Sequence, residues 1–292
     1  MKKLFLILSI IFSILNSAQQ SIIFKIKNYR VSVLSDSIQE TSGLNLFDGR
    51  LYTFNDSGNP AELYEIDRNS GKIFTVLKTN AENKDWEALT NDGENFYIGD
   101  FGNNTGTRQD LKIFKIPFNN NRIQNDSLKT ISFYYSDQKD FKPKNIATDF
   151  DLESMIYLNG KLHIFTKEWV SKSTTHYALD PNNFEKQAAQ KIETFKTGFM
   201  ISDAYYFDRK LYVVGYTKKT EVFLMIFDES ESGIFFKNNP RKLYLGSALS
   251  IGQIEGIAVD EMGIYISGEK FYSPIGNTKT YFYFIPKEKL KF

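Results

Sequence analysis

The chain has no cysteine. Disulfides, thiolate zinc sites, thiol nucleophiles and lipid attachment at a cysteine are therefore excluded, and stability must come from core burial. Charge of either sign is not in excess: 36 Lys and Arg face 35 Asp and Glu, so there is no basic surplus of the kind a nucleic-acid or anionic-membrane partner requires. There are only two histidines, and no serine elbow, glycine-rich phosphate loop or His-rich metal motif occurs. The N-terminal apolar run is about a dozen residues, short of the roughly 20 of a membrane span, and no later stretch approaches that length, so no span is expected. A stretch of 3.6-residue apolar periodicity longer than a turn or two is also missing, so almost no helix is expected.

The apolar run Leu4 to Leu15 follows Lys2 and Lys3 and precedes Asn16-Ser-Ala18, the three zones of a secretory signal. Residues 1–18 are read as that signal and 19–292 as one domain, exported to the periplasm or beyond. Losing the two lysines moves the formal charge from +1 to −1.

Aromatic residues are plentiful, with 26 Phe and 17 Tyr set in short alternating runs that suit half-buried strands. One phrase recurs five times: Glu40-Thr-Ser42-Gly-Leu44, Asp85-Trp-Glu87-Ala-Leu89, Asp151-Leu-Glu153-Ser-Met155, Met200-Ile-Ser202-Asp-Ala204 and Gln253-Ile-Glu255-Gly-Ile257. Each is followed by a small-residue turn, such as Asp48-Gly49 or Asn159-Gly160, and then by a pair: Leu51-Tyr52, Phe96-Tyr97, Leu162-His163, Leu211-Tyr212 and Ile264-Tyr265. Intervals of 45, 66, 49 and 53 residues between copies, with four short strands in most, predict an all-β, five-bladed β-propeller of four-stranded antiparallel blades. The last copy has three strands of its own; the opening strand Phe24 to Leu34 is expected to close it. A six-bladed ring, with Ser136 to Thr148 in a degenerate blade, is the alternative.

First strands line the channel of a propeller, so Ser42, Glu87, Glu153, Ser202 and Glu255 are expected to form one ring. The column holds three carboxylates and no basic residue, which predicts a bound cation, and all-oxygen donors suit Ca²⁺. The other reading is that each column residue only staples backbone amides of the next blade. Glu40 replaces Ser42 if the register slips by two residues, and Asp85 and Asp151 read as turn or inter-blade residues. Loops after the second strands surround the same mouth. From them Asp56, Asp100 and Glu168 are candidate general bases, and Asn55, Asn103, Asn104, Lys167, Trp169 and Glu269 candidate ligand contacts. His163 holds the slot occupied by Tyr in the other copies and reads as a core position; His176 has no evident partner.

Several of these phrases together, Ser42-Gly-Leu44 with Asn55-Asp-Ser-Gly58, Trp86-Glu87-Ala-Leu89 with Phe96-Tyr-Ile-Gly99, Glu153-Ser154, Ile201-Ser202 and Ile254-Glu255-Gly-Ile257, resemble the calcium-activated nucleotidase (apyrase) family. More loosely, the chain is similar to phytase-like and lactonase-like propellers. The nearer resemblance implies five blades, a central Ca²⁺ held by one Glu or Ser per blade, and hydrolysis of nucleoside di- and triphosphates. Where that family has an Asp-Asp-Arg-Thr-Gly loop, this chain has Asn55-Asp56-Ser57-Gly58, without an arginine for a phosphate. Two functions stand side by side: a monomeric binding or scaffold module with a small-molecule or extracellular ligand at the channel mouth, and a Ca-dependent hydrolase of a small phosphate or ester.

Overall fold

The computed structural model describes residues 21–274 and 276–290; the signal segment read from the sequence lies outside them. Four antiparallel strands build each of five blades. Blade 1 holds Thr41–Phe47, Arg50–Asn55, Glu62–Ile66 and Ile73–Lys78; blade 2 holds Trp86–Asn91, Asn95–Asp100, Lys112–Asn119 and Lys129–Tyr135. Blade 3 runs through Asp151–Leu158, Lys161–Lys167, Thr174–Leu179 and Gln187–Phe195, and blade 4 through Met200–Phe207, Lys210–Tyr216, Glu221–Asp228 and Arg241–Ser247. Blade 5 takes Gln253–Val259, Gly263–Glu269 and Tyr281–Pro286 from the C-terminal part and completes itself with Arg30–Val33. Each first strand packs against the next, and the fifth against the first, so the ring is closed.

The closing strand is shorter than the sequence suggests, because Ile26–Tyr29 form a 3-10 turn and only Arg30–Val33 pair with Tyr281–Tyr283. Ahead of it, Ile22–Ile23 run parallel to Leu243–Tyr244 on the rim of blade 4, so the N-terminal segment bridges two blades. The segment Ser136 to Thr148 forms no strand, which removes the six-bladed alternative. It folds instead over the mouth beside blades 2 and 3, where Lys144 N–H donates to Thr105 and Ile146 N–H to Asn104. Among the described residues no helix is long and apolar enough to cross a membrane.

The recurring pair explains how the blades adhere. Successive strand residues face opposite sides, so one member of each pair enters the interface on either side of its blade. Tyr52 and Phe96 meet Trp86 and Phe118 between blades 1 and 2, whereas Leu51 joins Leu44, Tyr265 and Phe282 between blades 5 and 1. Tyr97 and Leu162 lie between blades 2 and 3, Leu211 between 3 and 4, and Tyr212 and Ile264 between 4 and 5. Five apolar clusters thus correspond to five blade contacts. The turns that precede the pairs need positive φ, and Asp48-Gly49 supplies it at 50° and 72°, the geometry of a tight hairpin.

His163 takes the remaining aromatic slot and faces blade 4. Its Nδ1 lies 2.7 Å from Nε2 of His176, whose Nδ1 lies 3.2 Å from Oε1 of Glu193. Glu193 also accepts from the backbone N–H groups of Phe235 and Phe236. His176 therefore has the partners that the sequence left unnamed. Burial, then the second ring, push His163 down to about 4, so it is neutral when folded. An unfolded chain takes up that proton first, and stability is lost as pH falls from about 6.5 toward 4. Replacing His163 with phenylalanine is expected to remove its part of this acid-side loss in thermal melts; an unchanged acid profile would contradict the assignment.

Candidate functional site at the channel mouth

At the column, strand pairing slips in all five blades. In blade 3 Leu152 pairs with Thr166 and Ser154 with Phe165, leaving Glu153 unpaired; Glu87, Ser202 and Glu255 are skipped in the same way. In blade 1 the slip spans Ser42 and Gly43. A bulge re-aims the extra residue, and here it turns Ser42, Glu87, Glu153 and Glu255 into one cavity of about 420 Å³. Asp56, Asn104, Asn145, Ile146, Lys167, Trp169, Tyr216, Gln253 and Glu269 complete its lining. Ser202 stands behind this wall and donates to the carbonyl of Ile254 at 2.6 Å.

Lys167 changes the charge balance expected from the column. It ends the second strand of blade 3, is 4 % exposed, and places Nζ 2.9 Å from Oε1 of Glu153. The ring thus contains a cation of its own. Burial pulls the Lys167 pKa down, but Glu153, Tyr216, Glu255 and Asp151 outweigh it and hold the ammonium well above its ordinary value. One lysine does not balance the five acidic side chains around it. Burial, followed by Glu153 for Glu87 and by Glu255 for Glu269, pushes both carboxyls well above their usual range. Burial raises Glu255 as well, against the pull of Lys167.

Gln253 bridges two of these acids, its Nε2 donating to Oε1 of Glu255 at 2.6 Å and to Oε1 of Glu269 at 2.7 Å. Oε2 of Glu255 is buried and has no hydrogen-bond partner among the described residues. The hydroxyls of Tyr216 and Ser202 are near enough to favour its ionised form, yet neither makes a normal hydrogen bond to it. Gly102 gives Asp85 and Glu87 their room: a Cβ there would stand 2.3 Å from Oδ2 of Asp85 and 2.5 Å from Oε1 of Glu87.

Of the three candidate bases, only Asp56 lines the cavity. Burial, then Glu40, Glu255 and Asp85, raise its carboxyl from 3.8 to about 7. The folded chain therefore holds a proton there that the unfolded chain releases near pH 4, and that stabilisation is lost as pH rises through about 7. Asp56→Asn is expected to flatten the fall in melting temperature between pH 5 and 8; identical profiles would count against it. Asp100 is fully buried and turned to Arg108 Nη1 at 3.0 Å and Lys112 Nζ at 3.5 Å. Glu168 accepts from Thr166 at 3.0 Å, Thr175 at 2.7 Å and Ser171. Both are held in internal bonding outside the cavity lining.

The candidate ligand contacts divide similarly. Asn104, Lys167, Trp169 and Glu269 line the cavity. Asn55 is occupied by the backbone of Ser37 and Glu40, and Asn103 by Phe150 and Arg108. Asp151 is an inter-blade residue, with Oδ1 accepting the Asn103 N–H at 2.6 Å and Oδ2 the Trp169 indole at 2.8 Å. Tyr216 and Gln253 were not singled out from the sequence. Their signal was positional: Tyr216 ends its second strand as Lys167 and Glu269 do, and Gln253 stands two residues before its column glutamate.

The calcium set implied by the resemblance meets this geometry only in part. All its donors are oxygens and Glu255 has one to spare, but Glu153 is paired with Lys167 and the Ser202 hydroxyl is used. Among the described residues no three acidic or histidine side chains come together closely enough to hold one metal ion. A preformed cage of five ligands does not fit. Two larger grooves, about 510 and 530 Å³, lie between blades 5 and 1 and between 4 and 5 at the other strand ends, and no column residue lines them.

Five four-stranded blades around an acid-lined channel mouth define a β-propeller. No family model matches the chain, and no curated protein does. Among solved structures, a GH43 β-1,3-galactosidase with galactodeoxynojirimycin is similar at 10% identity and TM-score 0.50, over 88% of this chain and 94% of that one. A Thermus protein described as an oxidoreductase (glucose dehydrogenase) is similar at 10% identity and TM-score 0.48, over 88% and 98%. Hydrazine synthase of Kuenenia stuttgartiensis gives 12% identity and TM-score 0.42 over 80% of this chain, which spans 57% of that one. At these identities the likeness is one of fold.

Proposed function

We propose that this chain is an exported, monomeric binding module that captures a small cationic ligand at the channel mouth. The observation that carries the reading is the gathering of Asp56, Glu87, Glu153, Glu255 and Glu269 in one cavity whose lining holds one ammonium, that of Lys167, with Lys218 against the lining residues Trp169 and Ile146. Burial, and repulsion between neighbouring acids, raise the pKa of these carboxyls, and an arriving cation favours their ionised forms. Calcium belongs to this proposal as the inorganic candidate, with Glu87, Glu255 and Ser42 as its oxygen donors. The test is a thermal-shift series at constant ionic strength. Cations, CaCl₂ included, are expected to raise the melting temperature more at pH 8 than at pH 5, and a chelator to reverse the calcium effect. Equal shifts from cationic and anionic solutes would sink the reading.

A hydrolase is the second reading, favoured by one observation: Asp56 lines the cavity with a pKa of about 7, suited to a general base for water. The nucleoside polyphosphates of the apyrase family suit the acidic lining poorly, because Lys167 is already paired and no arginine lines the cavity. In a screen of phosphate and ester substrates, Asp56→Asn is expected to abolish any turnover while Asp100→Ala and Glu168→Ala leave chemistry at the mouth in place. Turnover surviving Asp56→Asn would remove this assignment.

A further inference from the structure

The segment Ser136 to Thr148 makes the longest interval between copies of the repeated phrase, and only its later part serves the mouth. Asn145 and Ile146 line the mouth cavity, whereas Ser136, Gln138, Lys139 and Phe141 wall a separate cavity of about 260 Å³. That cavity sits where the outermost strands of blades 2 and 3 pair in parallel, Phe133 with Gln187 and Tyr134 with Ala188, which joins the two blades edge to edge. Gln138 is buried and pins the segment there, its Nε2 donating to the carbonyl of Gly106 at 2.9 Å.

One side of the lining is apolar. Leu111 and Phe133 are buried core residues of blade 2, and the rings of Tyr134 and Phe141 stand with them around the space. The charged lining residues are Arg108, Lys139 and Lys186, with no carboxylate among the described ones. Arg108 is balanced by Asp100 at 3.0 Å and Asp110 at 3.2 Å. The two lysines are not: Lys139 Nζ donates to the carbonyl of Ser136 at 2.5 Å and Lys186 Nζ to that of Gln109 at 3.1 Å, and neither has an ion pair among the described residues. A bare anion would leave the rings unused, and a neutral ring would leave both ammonium charges unanswered. A ring carrying a carboxylate uses both, through edge or face contact with the aromatic walls and charge-assisted hydrogen bonds at the rim. The volume lies near the lower bound of small-molecule pockets, which limits the ligand to about one ring with a short tail.

We propose that this cavity binds a small aromatic carboxylate, its ring against Phe133, Tyr134 and Phe141 and its carboxylate between Lys139 and Lys186. A free aromatic acid and the aromatic C-terminal residue of a peptide offer the same chemistry. The experiment is isothermal titration calorimetry on the whole mature chain at low salt, with 3-phenylpropionate, N-acetyl-glycyl-phenylalanine, N-acetyl-phenylalanine amide and acetate as separate probes. At least one of the two aromatic carboxylates is expected to bind saturably, the tighter one identifying the source, and added salt is expected to weaken it. The amide and acetate are expected to bind at least tenfold more weakly. Joint replacement Lys139→Gln and Lys186→Gln is expected to weaken the carboxylate at least tenfold; both side chains are exposed, and circular dichroism checks the fold. Phe141→Ala, which removes one wall, serves as the second variant. No binding by either aromatic carboxylate overturns the proposal, as does an amide that binds equally well or an affinity unchanged in the folded variants. None of these outcomes depends on cation capture at the mouth, which the thermal-shift series tests separately.

Discussion

Lys167→Met is expected to destabilise the protein by about 3–5 kcal/mol, the usual loss when one partner of a buried ion pair is removed. Glu153 would be left buried without its counter-charge, in a cavity where four other acids already repel it. At roughly 2–4 °C per kcal/mol for a chain approaching this size, the melting temperature should fall by roughly 10 °C. The fall should grow as pH rises, because the abandoned carboxyl is then driven toward ionisation. Adding Glu153→Gln to the same chain removes the stranded charge and is expected to recover most of the loss. Thermal melts of both variants check this. A double variant no more stable than Lys167→Met would show that the lysine acts through something other than that pair.

A loss of similar size, about 4 kcal/mol, is expected from Asp203→Ala. Asp203 follows the blade 4 column residue, and its buried carboxylate accepts three backbone N–H groups. Oδ2 takes Ile257 of blade 5 at 2.7 Å and Leu44 of blade 1 at 3.3 Å, and Oδ1 takes Ala204 at 2.8 Å. One side chain therefore ties three blades across the channel. Burial raises this carboxyl well above its usual range, so the loss comes from the three buried amides left without an acceptor, at roughly 1–3 kcal/mol each. Asp203→Asn keeps one accepting oxygen and is expected to lose about half as much. Urea unfolding is the measurement, with the midpoint falling and the slope preserved; a midpoint within error of the parent would refute the clasp. Stapling was read from the sequence as an alternative for the column itself, yet in blade 4 the main staple is the residue beside it.

The contrast between these residues shows which parts of the molecule were legible. Asn55, Asp100, Lys167, Tyr216 and Glu269 end the five second strands and look alike as polar or aromatic residues before a loop. Three enter the cavity and two do not. Asp100 is drawn aside by Arg108 and Lys112, cations of its own blade, whereas Lys167 finds its anion only at the bulge of the neighbouring strand. Neither outcome follows from spacing, because each depends on a partner that the strand pairing brings near. The mouth-side course of Ser136 to Thr148 is of the same kind, set by hydrogen bonds to Asn104 and Thr105 rather than by any pattern of its own.

By itself the sequence determined the propeller of four-stranded blades, the strand that closes the ring, and four column residues at the channel mouth, Ser42, Glu87, Glu153 and Glu255, whereas Ser202 lies behind them. These follow from period-two alternation, turn residues at fixed offsets and a phrase repeated five times, all of which act over a few residues. Tertiary structure alone decided that the ring carries its own ammonium, that Asp56 rather than Asp100 or Glu168 faces the cavity, and that Glu255 keeps an oxygen free. Those outcomes depend on burial and on charges contributed by different blades, and electrostatics in a buried cavity is a property of the assembled neighbours.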